Sequence, residues 1–219
     1  MNRPSGAEVY AMPSEPVVLI HGLWMPALAM VPLARFAGSA GHATRIFEYR
    51  GRSSFEANRA RLAAYLRAQP GPVSVVAHSL GGVLALAALN GEPDLRVTAA
   101  VFLGSPVRGS LSGRRLAAWR AGRWLLGSAA EAWWNVREAA IWRHPAPLGV
   151  ISGTAAWGLG RLLGPFTAAN DGVVAAHETA VDGARDTVSV RTTHGGLLFS
   201  SAVARHVVRF LGRGSFQEG

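Results

Sequence analysis

The sequence predicts an α/β fold in which a mainly parallel sheet is covered by helices on both faces. Short apolar runs alternate along the chain with longer segments that carry apolar residues at helical spacing. Apolar runs without polar alternation are typical of strands buried on both faces, and such strands build parallel sheets. The chain has 219 residues, of which 49% are hydrophobic and 16% charged. This composition is typical of a globular protein, and we expect one domain over residues 1–219.

The alternation predicts strands and helices in a regular order. The apolar runs that predict strands are Pro16–Ile20, Thr44–Tyr49, Val73–Ala77, Arg96–Leu103, Leu148–Ile151 and Thr187–Arg191. The segments of helical spacing are Met30–Ala40, Glu56–Ala68, Leu80–Leu89 and Ala202–Leu211, and Pro70-Gly71-Pro72 ends the second of them. Because ligands bind beyond the carboxyl ends of strands in such sheets, we expect functional residues there.

One stretch, from Gly109 to His144, interrupts the alternation. It holds five of the seven tryptophans among arginines and alanines, and it predicts two or three amphipathic helices inserted after the Arg96–Leu103 strand. Three interpretations stay open for residues 109–144. They are ordinary cover over the sheet, a cap that lines an apolar acyl pocket, and a face that contacts lipid or a membrane.

Composition also bears on location and partners. The chain has no cysteine, which excludes disulfides and thiolate metal sites. Met1–Glu15 carries no secretory pattern and no apolar run reaches about 18 residues, so we expect a cytoplasmic protein without a membrane span. The net charge of +9 comes from arginines that are scattered along the chain without a recognition motif, so no nucleic-acid partner is expected.

The segment Ala77-His78-Ser79-Leu80-Gly81-Gly82 follows a predicted strand and opens a predicted helix. It has the strand–turn–helix pattern G-x-S-x-G, with Ala77 in place of the first glycine. Such a turn strains the serine backbone, so the residues two before and two after it must be small. The turn also places Ser79 at a helix N-terminus, where N–H groups favour negative charge. Ser79 could merely cap the helix, but the apolar strand and Gly81-Gly82 favour a nucleophile.

A serine nucleophile needs a base, and the base needs an acid that orients it. For this pattern the chain order is serine, acid, histidine. Asp171, within Asn170-Asp171-Gly172-Val173-Val174, is the predicted acid, and an Asp-Gly turn is the alternative for it. The competing acids lie in segments that are typical of solvated connections; they are Glu178, Asp182 and Asp186.

His194 is the predicted base, because Thr192-Thr193-His194-Gly195-Gly196 follows the last predicted strand. His206 falls within the final helix, and His177 lies too close to the acid and before the last strand. An acyl-transfer site also needs donors for the developing oxyanion. The predicted donors are the N–H groups of Leu80 and Leu23.

Other residues near these motifs have weaker expected roles. His21 and His78 adjoin the motifs, and we expect each to shape its loop through hydrogen bonds. Trp24 and Met25 adjoin the predicted oxyanion loop, and their interpretations are contact with an acyl chain or ordinary packing.

The set of motifs resembles a known family. Together they are similar to a small bacterial α/β-hydrolase of the lipase and esterase branch that includes PGAP1-like deacylases, over roughly Val17 to Leu211. The motifs that carry the resemblance are Val18–Gly22, Ala77–Gly82, Gly104-Ser105-Pro106, Asn170–Val174 and Thr193-His194-Gly195.

The resemblance implies hydrolysis of a small-molecule or lipid carboxylic ester through an acyl-enzyme, with no cofactor and no metal. It also places the Trp-rich insertion after the sixth conserved strand position of the family. Ala77 departs from the strict glycine pattern, but this variant occurs among lipases. A thioesterase, an amidase or an acyltransferase would use the same three residues, and a binding module on a hydrolase scaffold is a further alternative.

Overall fold

The computed structural model describes residues 14–50, 53–127, 140–158 and 166–217. Residues 1–13, which bear on the expectation of no secretory signal, lie outside these ranges. Residues 128–139 of the Trp-rich stretch lie outside them as well. Within the described part of the chain, no helix combines the length and the hydrophobicity needed to cross a membrane.

The described strands form one six-stranded sheet. In chain order they are β1 (Ser14–Ile20), β2 (His42–Phe47), β3 (Val73–His78), β4 (Val97–Leu103), β5 (Leu148–Gly153) and β6 (Asp186–Val190). Their order across the sheet is β2-β1-β3-β4-β5-β6, and every neighbouring pair is parallel. The predicted α/β class with a mainly parallel sheet is therefore confirmed.

Helices cover both faces of this sheet. They are α1 (Val31–Ser39), α2 (Phe55–Arg67), α3 (Leu80–Gly91), α4 (Leu111–Ala117), α5 (Arg120–Leu126) and α6 (Ser201–Arg213). Side chains alternate along a strand, so β1 contributes Val18 and Ile20 to the core beneath α2 and α3. Its other side chains, Val17 and Leu19, pack beneath α1 and α6.

The strand order creates a crevice between β1 and β3. After β1 the chain builds β2 on one side of it and then returns to build β3 on the other side. The loops that follow β1 and β3 therefore diverge at the carboxyl edge of the sheet, where open α/β sheets bind ligands. His21 follows β1 and Ser79 follows β3, so both flank this crevice.

The boundaries of the elements differ from the prediction by a few residues, and the largest consequence is at β2. We predicted a strand over Thr44–Tyr49, but β2 spans His42–Phe47. Its pairing with β1 stops at Ile20 opposite Phe47, because β1 ends there. Tyr49 consequently lies in the following loop, where its ring stacks on His21.

The Trp-rich stretch contains α4 and α5 within the described residues. Each helix has seven residues, and the two are joined through Ala118 and Trp119. The third helix that residues 109–144 could hold, together with Trp133 and Trp134, falls in residues 128–139, outside the described ranges. The cap interpretation of residues 109–144 stays a prediction.

Candidate active site

Ser79 lies at the junction of β3 and α3 in a strained backbone conformation. Its φ is 54° and its ψ is −126°, a region that costs a non-glycine residue about 1–3 kcal/mol. Two backbone hydrogen bonds hold the turn: Ser79 N–H donates to the Leu103 carbonyl at 2.9 Å, and Gly82 N–H donates to the Ser79 carbonyl at 3.0 Å. The side chain of Ser79 stays partly exposed while its neighbours on both sides are buried.

The glycines after Ser79 allow the backbone to approach very closely. A Cβ on Gly81 would lie 2.5 Å from the His21 carbonyl oxygen and 2.8 Å from that of Ile20. A Cβ on Gly82 would lie 2.0 Å from Ser105 Oγ. These positions therefore require glycine, and the contacts bring the loop after β1 directly against the turn that carries Ser79.

The structure brings Ser79, His194 and Asp171 into one hydrogen-bonded chain. His194 Nε2 lies 2.9 Å from Ser79 Oγ, and His194 Nδ1 lies 2.7 Å from Asp171 Oδ2. The carboxylate can only accept, so Nδ1 carries its proton toward Asp171 and Nε2 is free to accept the proton of Ser79. This is the geometry required of a nucleophile, a base and an orienting acid.

Asp171 is 1% exposed and lies in a tight turn that we call the Asp171 loop, residues 170–175. Its Oδ2 bonds to His194, and its Oδ1 bonds within the loop. Its Oδ1 accepts the N–H groups of Val173 and Val174 at 3.0 and 2.7 Å. Gly172 in this loop has a φ of 91°, and a Cβ there would lie 2.3 Å from the Trp157 carbonyl oxygen. Hydrogen bonds from two backbone amides fix the direction of the carboxylate, so that Oδ2 faces the His194 ring.

His78 forms a hydrogen bond with the backbone of His194. It is completely buried, its Nε2 lies 3.0 Å from the His194 carbonyl oxygen, and the two rings are 4.7 Å apart. Because a carbonyl oxygen only accepts, Nε2 must carry the proton. Burial, with a smaller contribution from His194, holds the pKa of His78 well below its ordinary value of 6.5. His78 is therefore a neutral donor that places no second positive charge beside His194.

The neutral state of His78 predicts a pH dependence of stability. As pH falls below 6.5, the unfolded chain protonates this histidine and the folded chain does not. The free energy of unfolding should therefore fall by up to about 1.4 kcal/mol per pH unit, until the lower folded-state pKa is reached. Urea unfolding of the wild type and of His78→Gln, between about pH 7.5 and about pH 5.5, measures this slope.

Glutamine keeps an N–H donor for the His194 carbonyl but does not titrate in this range. Burial also lowers the pKa of His144, which contributes to the slope equally in both proteins. The difference between the two slopes isolates His78. Parallel pH profiles for the two proteins would contradict the assignment of a neutral, buried imidazole.

His21 holds the loop that follows β1. We call this loop, residues 21–26, the β1 loop. The His21 ring stacks on Tyr49 with 4.4 Å between the ring centroids. Its Nε2 accepts from Tyr49 N–H at 3.3 Å, so Nδ1–H donates to the Gly22 carbonyl at 2.8 Å. A Cβ on Gly22 would lie 3.0 Å from Ser79 Cβ. The β1 loop therefore contacts Ser79, as the predicted donor Leu23 requires.

A cavity of about 290 Å³ opens beside the β1 loop. Trp24 and Met25 both line it, together with His21 and Tyr49 on the sheet side. Its opposite wall comes from the C-terminal end of α5, through Trp124, Leu125 and Leu126. Gly22 and Leu23 also line the cavity, and Gly22 lies beside Ser79, since a Cβ on Gly22 would lie 3.0 Å from Ser79 Cβ.

The competing acids are engaged elsewhere. Asp182 pairs with Arg108, and Asp186 accepts from the Ser215 hydroxyl and the Phe216 N–H. The expectation that Glu178 lies in a solvated connection is wrong, because this residue is 3% exposed. Its carboxylate accepts the backbone N–H groups of Leu111 and Ala175, so it joins the start of α4 to the Asp171 loop.

The two other histidines that were considered as the base lie in other elements. His177 lies in the short 3-10 helix Ala176–Thr179, and His206 lies in α6.

One contact near the Asp171 loop was missed by the sequence analysis. Ser112, in the first turn of α4, donates its hydroxyl to the Val173 carbonyl at 2.7 Å. No local pattern marks Ser112, because its partner lies 61 positions away along the chain. Within the described residues, no three acidic or histidine side chains are grouped to hold a metal ion.

Comparison with solved structures finds the same fold in several hydrolases. Bacillus licheniformis lipase BlEst2 in its mature form superposes with a TM-score of 0.66 at 20% identity, covering 89% of this chain and 90% of the lipase. The metagenomic carboxyl esterase MGS0156 gives a TM-score of 0.63 at 22% identity, with 88% and 68% covered. A monoacylglycerol lipase of Paleococcus ferrophilus gives 0.61 at 16% identity, with 90% and 95% covered.

Sequence comparison gives the family. A search of curated proteins finds no significant match to the chain. The model of the alpha/beta hydrolase family matches residues 17–212, which span all six strands apart from the first residues of β1. With this match, a parallel six-stranded sheet and a serine on the turn after β3, the chain belongs to the alpha/beta hydrolase family.

Proposed function

We propose that this chain is a serine esterase that cleaves carboxylic esters through an acyl-enzyme on Ser79. The observation that carries the proposal is the hydrogen-bonded chain from the Ser79 hydroxyl through the His194 ring to the Asp171 carboxylate, with distances of 2.9 and 2.7 Å. A serine hydroxyl alone is a weak nucleophile. An adjacent base that removes its proton during the attack makes it a strong one.

In the first half of the reaction, Ser79 Oγ bonds to the ester carbonyl carbon while His194 Nε2 takes the hydroxyl proton. The carbonyl oxygen becomes an oxyanion, the bond to the alcohol oxygen then breaks, and Nε2 returns the proton to the leaving alcohol. In the second half, water attacks the acyl-enzyme in the same way and Ser79 leaves with the proton. Asp171 accepts a hydrogen bond from His194 Nδ1–H throughout, without taking the proton, and stabilises the imidazolium.

The oxyanion is bound by two backbone N–H groups in this proposal. Leu80 is the first residue of α3, and the first N–H groups of a helix have no acceptor within it. Leu23 supplies the second N–H from the β1 loop, which contacts Ser79 through Gly22. Each donor of this kind contributes on the order of 3–4 kcal/mol to stabilisation of the transition state.

The cavity beside the β1 loop is the proposed acyl site. Its described lining is mostly apolar and includes Trp24, Met25, Trp124 and Leu126. Its volume of about 290 Å³ lies at the small end of ligand pockets, which favours short and medium acyl groups over long chains. Three proteins of this fold are named as lipases or as an esterase. For this reason we propose a carboxylic ester as the substrate, and not a thioester or an amide.

The substrate class is tested with matched acyl groups. Turnover of a butyryl p-nitrophenyl ester, the corresponding thioester and the corresponding anilide is compared in free solution, followed by a chain-length series of the ester. We expect the ester to have the highest kcat/KM. It should exceed the anilide because p-nitrophenolate leaves more readily than an aniline, and it should exceed the thioester if the site is shaped for an oxygen ester, as proposed. Within the series, kcat/KM should fall once the acyl chain exceeds the cavity.

The turnover of each substrate is also measured with Ser79→Ala, so that only turnover that depends on Ser79 is counted. A thioester or an anilide with a kcat/KM about tenfold above that of the ester would replace the esterase with one of the alternative activities. A sharp rise in rate at an oil–water interface, with no saturation in free solution, would indicate a lipase that acts on aggregated substrate.

A further inference from the structure

The β1 loop is joined to α5 by a hydrogen bond between side chain and backbone. Trp24 Nε1–H donates to the Leu125 carbonyl oxygen at 3.1 Å, across 101 positions of sequence. Leu125 lies in the last turn of α5, where carbonyl groups find no N–H donor within the helix. The indole N–H therefore satisfies a helix-end carbonyl and, in doing so, connects the β1 loop to the Trp-rich insertion.

Trp24 also has an unusual backbone conformation. Its φ is 57°, and among the described non-glycine residues only Trp24 and Ser79 have a positive φ. A bulky side chain is rare in this region and persists only where its surroundings hold it there. Trp24 directly follows Leu23, so its strained conformation sets the direction of the peptide group that joins the two residues. This peptide group is next to the Leu23 N–H, the proposed oxyanion donor.

A small apolar cluster holds the same loop from the side of Leu23. The Leu23 side chain packs with Leu116 of α4 against the buried residues Ala117 and Leu126. Leu23 also contacts the main core beneath α2 and α3. Two independent contacts, one polar and one apolar, thus fasten the β1 loop to α4 and α5.

The other end of this helical pair is fastened to the Asp171 loop. Ser112 donates to the Val173 carbonyl at 2.7 Å, and Glu178 accepts N–H groups from both α4 and the Asp171 loop. Val173 in turn donates its N–H to Asp171 Oδ1. Helices α4 and α5 therefore connect the loop of the proposed orienting acid with the loop of a proposed oxyanion donor.

From these contacts we infer that α4 and α5 hold the Leu23 N–H in place for catalysis, and that Trp24 is the positioning residue through which they act. The inference rests on the proposed function, because it assigns Leu23 N–H to the oxyanion. It gives Trp24 a role different from lining the acyl site: the indole N–H keeps the strained turn in the conformation that directs Leu23 N–H toward Ser79.

The test separates positioning from substrate contact. Trp24→Phe keeps an aromatic wall but removes the N–H donor, so kcat should fall about tenfold or more while KM changes less than about threefold. Affinity for an aliphatic trifluoromethyl ketone, which Ser79 attacks to form an oxyanion, should fall in proportion to kcat. Trp24→Gly adopts a positive φ without strain and should fold, but it also loses the donor and should show the same loss of kcat.

Trp119→Phe is the matched control, since Trp119 is an exposed tryptophan at the start of α5 that does not line the cavity. It should keep the wild-type kcat. An unchanged kcat in Trp24→Phe and Trp24→Gly, with turnover that still requires Ser79, would overturn the inference and leave the proposed function intact. A rise in KM without a fall in kcat would mean that Trp24 only lines the acyl site, and this result would also overturn the inference. Absence of any Ser79-dependent turnover in the wild type would overturn both.

Discussion

Replacement of Ser79 with alanine is expected to lower kcat for ester hydrolysis by about a million-fold. The substitution removes the oxygen that is proposed to form the acyl-enzyme, while the backbone bonds of the turn to Leu103 and Gly82 remain. Among the described residues, the one side-chain hydrogen bond of Ser79, to His194, is lost. The free energy of unfolding should therefore change by no more than about 1.5 kcal/mol.

Ester turnover, labelling by a fluorophosphonate and urea unfolding measure these three expectations on the same preparations. Ser39→Ala is the control, because Ser39 is an exposed serine at the end of α1 whose hydroxyl bonds only to the Phe36 carbonyl among the described residues. It should be labelled and should turn over ester as the wild type does. Ester turnover by Ser79→Ala above about a tenth of the wild-type rate would sink the acyl-enzyme proposal.

Replacement of Asp171 with asparagine is expected to lower kcat by about ten-thousand-fold at neutral pH. The asparagine carbonyl can still accept the N–H groups of Val173 and Val174, so the amide –NH₂ faces His194 Nδ1. An –NH₂ group donates, which forces Nδ1 to accept and moves the imidazole proton to Nε2. In that tautomer, Nε2 cannot take the proton of Ser79.

Kinetics of Asp171→Asn are compared with those of Asp182→Asn, an exposed acid that pairs with Arg108. Removal of this exposed pair should change the free energy of unfolding by less than about 1 kcal/mol and leave kcat near the wild-type value. Thermal unfolding of both variants monitors the fold. If Asp171→Asn retained wild-type turnover, another acid would have to orient His194, and the assignment of Asp171 would fail.

Much of the fold was predictable because its signals are local. Strands such as Val73–His78 are mostly apolar since they are buried on both faces, and Leu80–Gly91 begins at once after the Ser79 turn. The turn itself was visible for the same reason: strand, strained serine, glycines and helix all lie within a few residues. Errors are largest where pairing with another strand sets a boundary, as at β2, whose partner ends at Ile20.

The site was less predictable wherever a residue acts on a distant one. Glu178 is surrounded by Ala175, Ala176 and Ala180 in sequence and lacks any mark of burial. It is buried because it accepts the N–H of Leu111, 67 positions away. Trp24 was expected to contact an acyl chain or to pack in its loop. Its hydrogen bond to Leu125 was not predictable, because it joins two segments separated by three strands of the sheet and several helices.

The amino-acid sequence by itself determined the order of the elements, the strained turn at Ser79 and the types of residue available for acyl transfer. These depend on side-chain periodicity, on the small size of glycine and on the chemistry of a few side chains, all of which act over short stretches of chain. Only the tertiary structure decided that His194 and Asp171 meet Ser79, and that α4 and α5 connect the β1 loop to the Asp171 loop. Hydrogen bonds are made at about 3 Å, and distances of that size between remote residues are set by the packing of the whole sheet and its helices.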